Sequence, residues 1–267
     1  MSLTEDTQEN GTLDIIGIFD GYERQLANSV GCLNLRHRSA VFTGDPRSSA
    51  DILQDLYREL GRAWNLAAEA QSFRRSLENF RWFKPQLQLS SSNNSPEVTL
   101  ERALVAANCR RGREDWANQV PIVSGLAGPR AGKRRAIDLV HMKSPAECEF
   151  VELKVASDTP LFAASEIVLY GLLWLLARRD QSRLSLPPSP LLAVSSLRLS
   201  VLAPQQFYRN SDISAISRFF GTGLSALGKT NGVSLSFALT AFPDDFCWPV
   251  AADDSWLHHQ LDERRVL

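Results

Sequence analysis

AIDLVHMKSPAECEFVELKV, residues 136–155, decides the fold: it reads as two strands of alternating pattern joined by a turn around Pro145. A hairpin centred on Pro145 sets Asp138 opposite Glu152, each seven residues from the centre. Successive side chains of a strand point to opposite faces, so those of residues 138, 152 and 154 share one side. Ile137, Leu139, Val151, Leu153 and Val155 take the other side and supply an apolar layer. Two carboxylates and a lysine therefore converge.

The hairpin sits in a regular series of elements. Pro96 opens a helix through VTLERALVAAN, and VPIVSGL, residues 120–126, reads as a strand before the hairpin. FAASEIVLYGLLWLLARR, residues 162–179, follows as an apolar helix whose two closing arginines suit the negative end of a helix dipole. Then come strand LRLSVLAP, helix DISAISRFFGTGLSAL and strand VSLSFALTAF. The order predicts an α/β fold, a mixed central sheet flanked by helices.

A Ser/Asn cluster, QLQLSSSNNSPE, predicts a linker over residues 86–96 between a domain of residues 97–267 and a smaller N-terminal α+β module of residues 1–85. In that module LDIIGIF and CLNLRHRSAVF read as strands. A helix is expected from Ser49, with Ile52, Leu53, Leu56, Leu60, Trp64 and Leu66 near the 3.6-residue period. No chemistry is recognisable there.

Composition narrows the function classes. Twenty-nine basic residues against 30 acidic ones exclude a polycation, so any nucleic-acid surface is a local patch. Cys32, Cys109, Cys148 and Cys247 are scattered, without C-x-x-C or histidines at zinc spacing, and are expected as reduced thiols. MSLTEDTQENG lacks the basic start and apolar core of a signal peptide. The longest apolar run, IVLYGLLWLLA, covers residues 167–177, about half of what spans a bilayer, so a cytoplasmic protein with a buried helix is expected and no membrane partner.

GLSALGKT, residues 223–230, satisfies the phosphate-loop pattern G-x-x-x-x-G-K-[ST]. A phosphate loop runs from a strand into a helix. Here Ile213, Ile216, Phe220, Leu224 and Leu227 continue a helix through the string, and Asn231-Gly232 turns into a strand. The context is reversed: Gly228 is expected to stop the helix, with Lys229 at its negative end. The rival reading, a P-loop nucleotidase, requires a strand before Gly223 and a helix after Thr230.

Paired carboxylates supply hard oxygen donors for Mg²⁺, which keeps much of its water shell, and an adjacent lysine can hold attacking water or neutralise a phosphorane. Asp138, thirteen intervening residues and Glu152-Leu153-Lys154 resemble the D…(D/E)-x-K signature of the PD-(D/E)XK nuclease superfamily (restriction-endonuclease-like fold), and the order of elements over about residues 97–242 is similar to that family's core. The resemblance implies metal-dependent hydrolysis of phosphodiesters, with DNA as the substrate and Mg²⁺ or Mn²⁺ as the cofactor. By the same resemblance Asp138 and Glu152 bind the metal, Lys154 assists the water, and Glu101 takes the acidic position of the first helix. Glu166 and Tyr170 stand at the spacing of a Q-x-x-x-Y motif found in part of the family, with Glu in place of Gln, and Ile137 stands where the family name has proline.

Arg110, Arg111, Arg113, Lys133, Arg134 and Arg135 flank the strands of the core and are candidates for phosphate contact, together with Tyr170. Trp116, Asn118 and Gln119 are candidates for orienting substrate, with Trp116 read as core. His258-His259 falls in a polar C-terminal tail and is read as incidental. The alternative function is a nuclease-fold module that binds nucleic acid or protein without cleaving; a homodimer stays open.

Overall fold

The computed structural model describes residues 15–32, 34–36, 48–69, 79–82, 85–88, 95–122, 135–249 and 253–267. Its elements are α1 Ile15–Ser29, α2 Ser49–Glu69, α3 Pro96–Arg110, β1 Trp116–Pro121, β2 Ala136–Ser144, β3 Glu147–Leu153, α4 Pro160–Asp180, α5 Pro190–Ala193, β4 Ser196–Ala203, α6 Ile213–Thr230, β5 Ser234–Ala241, α7 Asp254–Asp262 and β6 Arg265–Val266. The strands form one mixed sheet in the order β1-β2-β3-β4-β5-β6. Its central pairs, β3 with β4 and β4 with β5, are parallel, and the outer pairs are antiparallel.

Helices cover both faces of the sheet. On one side α4 packs on β3 and β4, α6 on β5, and α2 across α6 and α4. On the other, α3 and α7 enclose a smaller buried cluster that includes Leu100, Leu104, Trp116, Leu139, Val151, Leu153, Leu202, Phe242 and Leu257. The alternation read from the hairpin places Leu139, Val151, Leu153 and Val155 in this cluster. Ile137 departs from it and joins the larger cluster with its cross-strand partner Val120.

Helix starts follow their caps. Thr159 accepts from Phe162 N at 3.1 Å ahead of Pro160, and Asp212 accepts from Ala215 N at 2.9 Å, satisfying first-turn amides. α4 is apolar almost all round; at 21 residues and a mean hydropathy of 1.7 it is long and apolar enough to cross a membrane, more than the eleven-residue run suggested. The protein interior takes 94% of that window, which accounts for its composition.

Several sequence expectations need correction. LDIIGIF is not a strand: from Ile15 the chain is helical, and buried Tyr22, Leu26 and Val30 recur every fourth residue, a period visible only when the window extends past the short apolar run. In CLNLRHRSAVF, residues 35–36 form a turn, while 33 and 37–42 lie outside the described residues. The first core strand lies earlier than VPIVSGL, at Trp116–Pro121, because polar Asn118 and Gln119 break its apolar pattern. The C-terminal tail is helix α7, and His258 is buried in it.

The helices before residue 86 also share a core with the sheet. Tyr22, Leu26, Leu53, Leu56 and Trp64 belong to one buried cluster with Leu169, Leu173, Phe220 and Leu199. Trp64 Nε1 donates to Asp180 Oδ2 at 3.0 Å, fixing α2 to the end of α4.

GLSALGKT lies wholly within α6, and a strand follows it. The helix runs through Gly228 to Thr230, so Gly228 is not its stop; Asn231 is the cap, and the left-handed residue is Gly232 at φ +68°. Both glycines of the string are packing positions. A Cβ on Gly223 would stand 2.8 Å from Ser49 O of α2, and one on Gly228 would stand 2.7 Å from Val233 O.

Candidate active site

β2 and β3 pair with Leu139 against Val151 and Val140 against Phe150, so the next pair outward is Asp138 against Glu152, as the hairpin reading expected. A turn at Pro145 and Ala146, with a bulge between Met142 and Ser144, preserves that register. β1 extends the row: Asn118 faces Leu139 and Val120 faces Ile137, which sets Gln119 across from Asp138. Gln119 has φ +48°, a strained conformation for a residue other than glycine.

Asp138 is half-buried, and its Oδ2 accepts from Leu153 N at 3.0 Å. Glu152 and Lys154 are buried, at 4% and 7% exposure. Lys154 Nζ lies 2.9 Å from Glu152 Oε1, 3.4 Å from Asp158 Oδ2 and 3.5 Å from Glu166 Oε2. Glu166, on α4, also pairs with Arg135 at 2.9 Å and accepts from the buried Tyr170 hydroxyl at 3.0 Å. Lys154 and Arg135 thus meet the carboxylates of Glu152, Asp158 and Glu166 beside Asp138, at the ends of β2 and β3 and the start of α4.

Glu101 reaches this group from α3. Asn118 Nδ2 donates to its Oε1 at 2.6 Å and Gln119 Nε2 to its Oε2 at 2.7 Å, while Arg102 pairs with the same carboxylate. Asn118 is itself held by the backbone of Gln86, accepting from its N at 2.8 Å and donating to its O at 2.9 Å. Asn118 and Gln119 therefore orient an acidic residue, and Trp116 is core as expected.

Loss of solvent, with like charges close by, disturbs these groups strongly. Desolvation pushes Asp138 up to about 6 against the pull of Lys154 and the Leu153 amide. Burial, then the Asp138 charge, raises Glu101 to about 8. Burial followed by Asp138 and Glu166 holds Glu152 well above the usual carboxylate range. Burial opposes the charge on Lys154, but Glu152 and Glu166 outweigh it and hold the ammonium above its ordinary pKa.

Glu97 belongs to the site although sequence reasoning missed it. Its Oε1 accepts from the amides of Val155, Ala156 and Ser157 at 3.3, 3.4 and 3.4 Å, and from Ser157 Oγ at 2.9 Å. Burial is outweighed by hydrogen bonds from its own amide, the Ser157 and Ser95 hydroxyls and the Ala156 amide, which lower its pKa to about 2. The loop that follows Lys154 is thereby tied to the first turn of α3. A carboxylate in the second position after a Ser-Pro helix start gives only a capping signal in the sequence.

Among the candidate phosphate contacts that fall in the described residues, only Arg135 and Tyr170 join the group. Arg110 pairs with Asp254, Arg111 donates to Ser255, and Arg113 binds Asp115 and Asp262, all toward α7. These lie at the far end of α3, about 20 Å along the helix from Glu97 at 1.5 Å per residue. Lys133 and Arg134 lie outside the described residues.

Asp138 and Glu152 offer oxygen donors of the kind Mg²⁺ takes, and burial first, then neighbouring like charges, raises both carboxyl groups. Among the described residues no three His, Cys, Asp or Glu side chains group as a metal cage. No family model, curated protein or solved structure matches the chain.

Proposed function

We propose that the chain is a divalent-metal-dependent nuclease that hydrolyses phosphodiester bonds of DNA, on a core of the PD-(D/E)XK kind. The observation that carries this reading is Asp138 opposite Glu152 with the Lys154 ammonium 2.9 Å from Glu152. The sheet order and the placement of α3 and α4 beside that trio support it.

Asp138 and Glu152 would hold Mg²⁺ or Mn²⁺, which supplies charge on the phosphate and a bound water of lowered pKa. Lys154 keeps a permanent positive charge beside the carboxylates, suited to orienting attacking water and to offsetting charge on the phosphorane. Glu101, raised to about 8, holds a proton at neutral pH, and Asn118 and Gln119 fix its orientation. Glu166 holds Lys154 from the α4 side while Arg135 and Tyr170 hold Glu166.

One observation favours the alternative of a binding module that does not cleave: Lys154 already neutralises Glu152, the carboxylate a metal would need. Cleavage assays on linear, circular and single-stranded DNA with Mg²⁺, Mn²⁺ or EDTA separate the two, run beside Lys154→Ala. Metal-dependent products absent from the variant are expected. DNA binding with no cleavage in any metal would leave the binding module.

A further inference from the structure

The segment between α1 and α2 reaches the site through Arg36. Leu35 O accepts from the hydroxyl of Thr159, the cap of α4, which anchors this segment beside the loop that follows Lys154. The Arg36 guanidinium lies 3.8 Å from the centre of the Phe162 ring, a ring that Lys154 Nζ also approaches, at 6.0 Å. Its Nη1 is 3.7 Å from Asp158 Oδ1, while Lys154 holds the other oxygen of that carboxylate at 3.4 Å. Asp158 has φ +65°, so the backbone is strained at the residue that joins the two cations.

The two cations differ in what they can do. Lys154 is buried and shared among three carboxylates, so it cannot leave the site to meet a polymer. Arg36 keeps 51% of its side chain exposed, and its ion pairs with Asp158 and Glu23, at 3.7 and 3.8 Å, are long and solvated. Pairs of that kind are weak and exchange readily for a phosphate, whose oxygens match the guanidinium fork. The Phe162 ring holds the fork in place meanwhile.

We infer that Arg36 is a phosphate-backbone contact of this site. The inference rests on the nuclease reading, and its ligand is the phosphodiester chain on one side of the scissile bond.

The test measures binding of a fluorescein-labelled DNA duplex over a range of KCl concentrations, and steady-state cleavage, for wild type, Arg36→Gln and Arg36→Lys. Removing one cation that pairs with a phosphate lowers the slope of log affinity against log salt by about 0.9. Arg36→Gln is expected to show that drop, with affinity about fivefold weaker, KM raised and kcat kept; Arg36→Lys keeps the wild-type slope. Gln retains a planar group for the ring, and melting within about 2 °C of wild type marks both variants as folded. A slope unchanged in Arg36→Gln, with wild type binding and cleaving, overturns the role of Arg36 alone. No binding or cleavage by wild type with any metal overturns the nuclease reading and this inference with it.

Discussion

Lys154 carries its ammonium 2.9 Å from the carboxylate of Glu152, two residues before it, and both are almost wholly withdrawn from water. Neither charge is tolerable there alone. Lys154→Met is therefore expected to lose cleavage by at least about 10³-fold and to lower stability by about 3 kcal/mol while remaining folded. Single-turnover cleavage and urea unfolding of the same preparation check this, and a variant that cleaves as wild type does removes Lys154 from the chemistry.

Glu101 makes stability fall with rising pH. Its folded pKa of about 8 exceeds the ordinary 4.5, so between those values the folded chain holds a proton the unfolded chain has released. Stability from this group is present at low pH and is lost as pH rises through about 8, and Asp138, raised to about 6, acts in the same sense lower down. Glu97, lowered to about 2, acts oppositely, gaining stability as pH rises toward 4.5. Urea unfolding at pH 5 and pH 8 without divalent ions should show a decline that Glu101→Gln flattens; equal slopes for both proteins would contradict the raised Glu101.

A cation between Asp138 and Glu152 should reverse part of that decline. Mg²⁺ or Mn²⁺ at about 100 times its dissociation constant adds about 2.7 kcal/mol by mass action. Thermal melts at pH 8 are expected to rise with metal for wild type and stay level for Asp138→Asn. A rise of equal size in both would place the ion elsewhere.

Glu97→Ala releases the amides of Val155, Ala156 and Ser157 and so loosens the backbone next to Lys154. A cost of about 1–2 kcal/mol is expected, with faster amide exchange confined to residues 155–157 and a lower kcat. Unchanged exchange in that loop would show that Glu97 does not hold it.

Gly228→Ala forces a methyl group against Val233 O and the amide of Leu235, and should destabilise by about 2 kcal/mol or more. Lys229→Ala, at the exposed end of α6, should change stability by no more than about 0.5 kcal/mol. Isothermal titration of wild type with ATP is expected to show no binding, and ATP affinity abolished by Lys229→Ala would restore the phosphate-loop reading.

The hairpin was legible because its strands and turn are local, but the count that placed Asp138 against Glu152 holds only because the bulge at Lys143 offsets the two-residue turn Pro145-Ala146, which alone would set Asp138 against Leu153. Of the helices after the hairpin, α4 was legible as a long apolar run and α6 from its period, whereas α5 and α7 were not. The N-terminal helix was not, since a short run such as IIGIF fits either a strand or a buried helix until Tyr22, Leu26 and Val30 reveal the longer repeat. The site's outer members were hidden for another reason. Glu97 and Arg36 acquire these partners through contacts between residues far apart along the chain, which no local pattern encodes, whereas Glu166 was already marked by its spacing from Tyr170. The arginines after α3 misled because a basic cluster in sequence does not disclose that Asp254, Asp115 and Asp262 are waiting beside it.

α4 is the element whose company matters most. By length and hydropathy a lipid bilayer would accept it as readily as the interior of this protein does. α1, α2 and α6 cover it on the side away from the sheet. A chain that made α4 before those helices had closed over it would offer the cell a segment that membrane-insertion machinery is built to recognise.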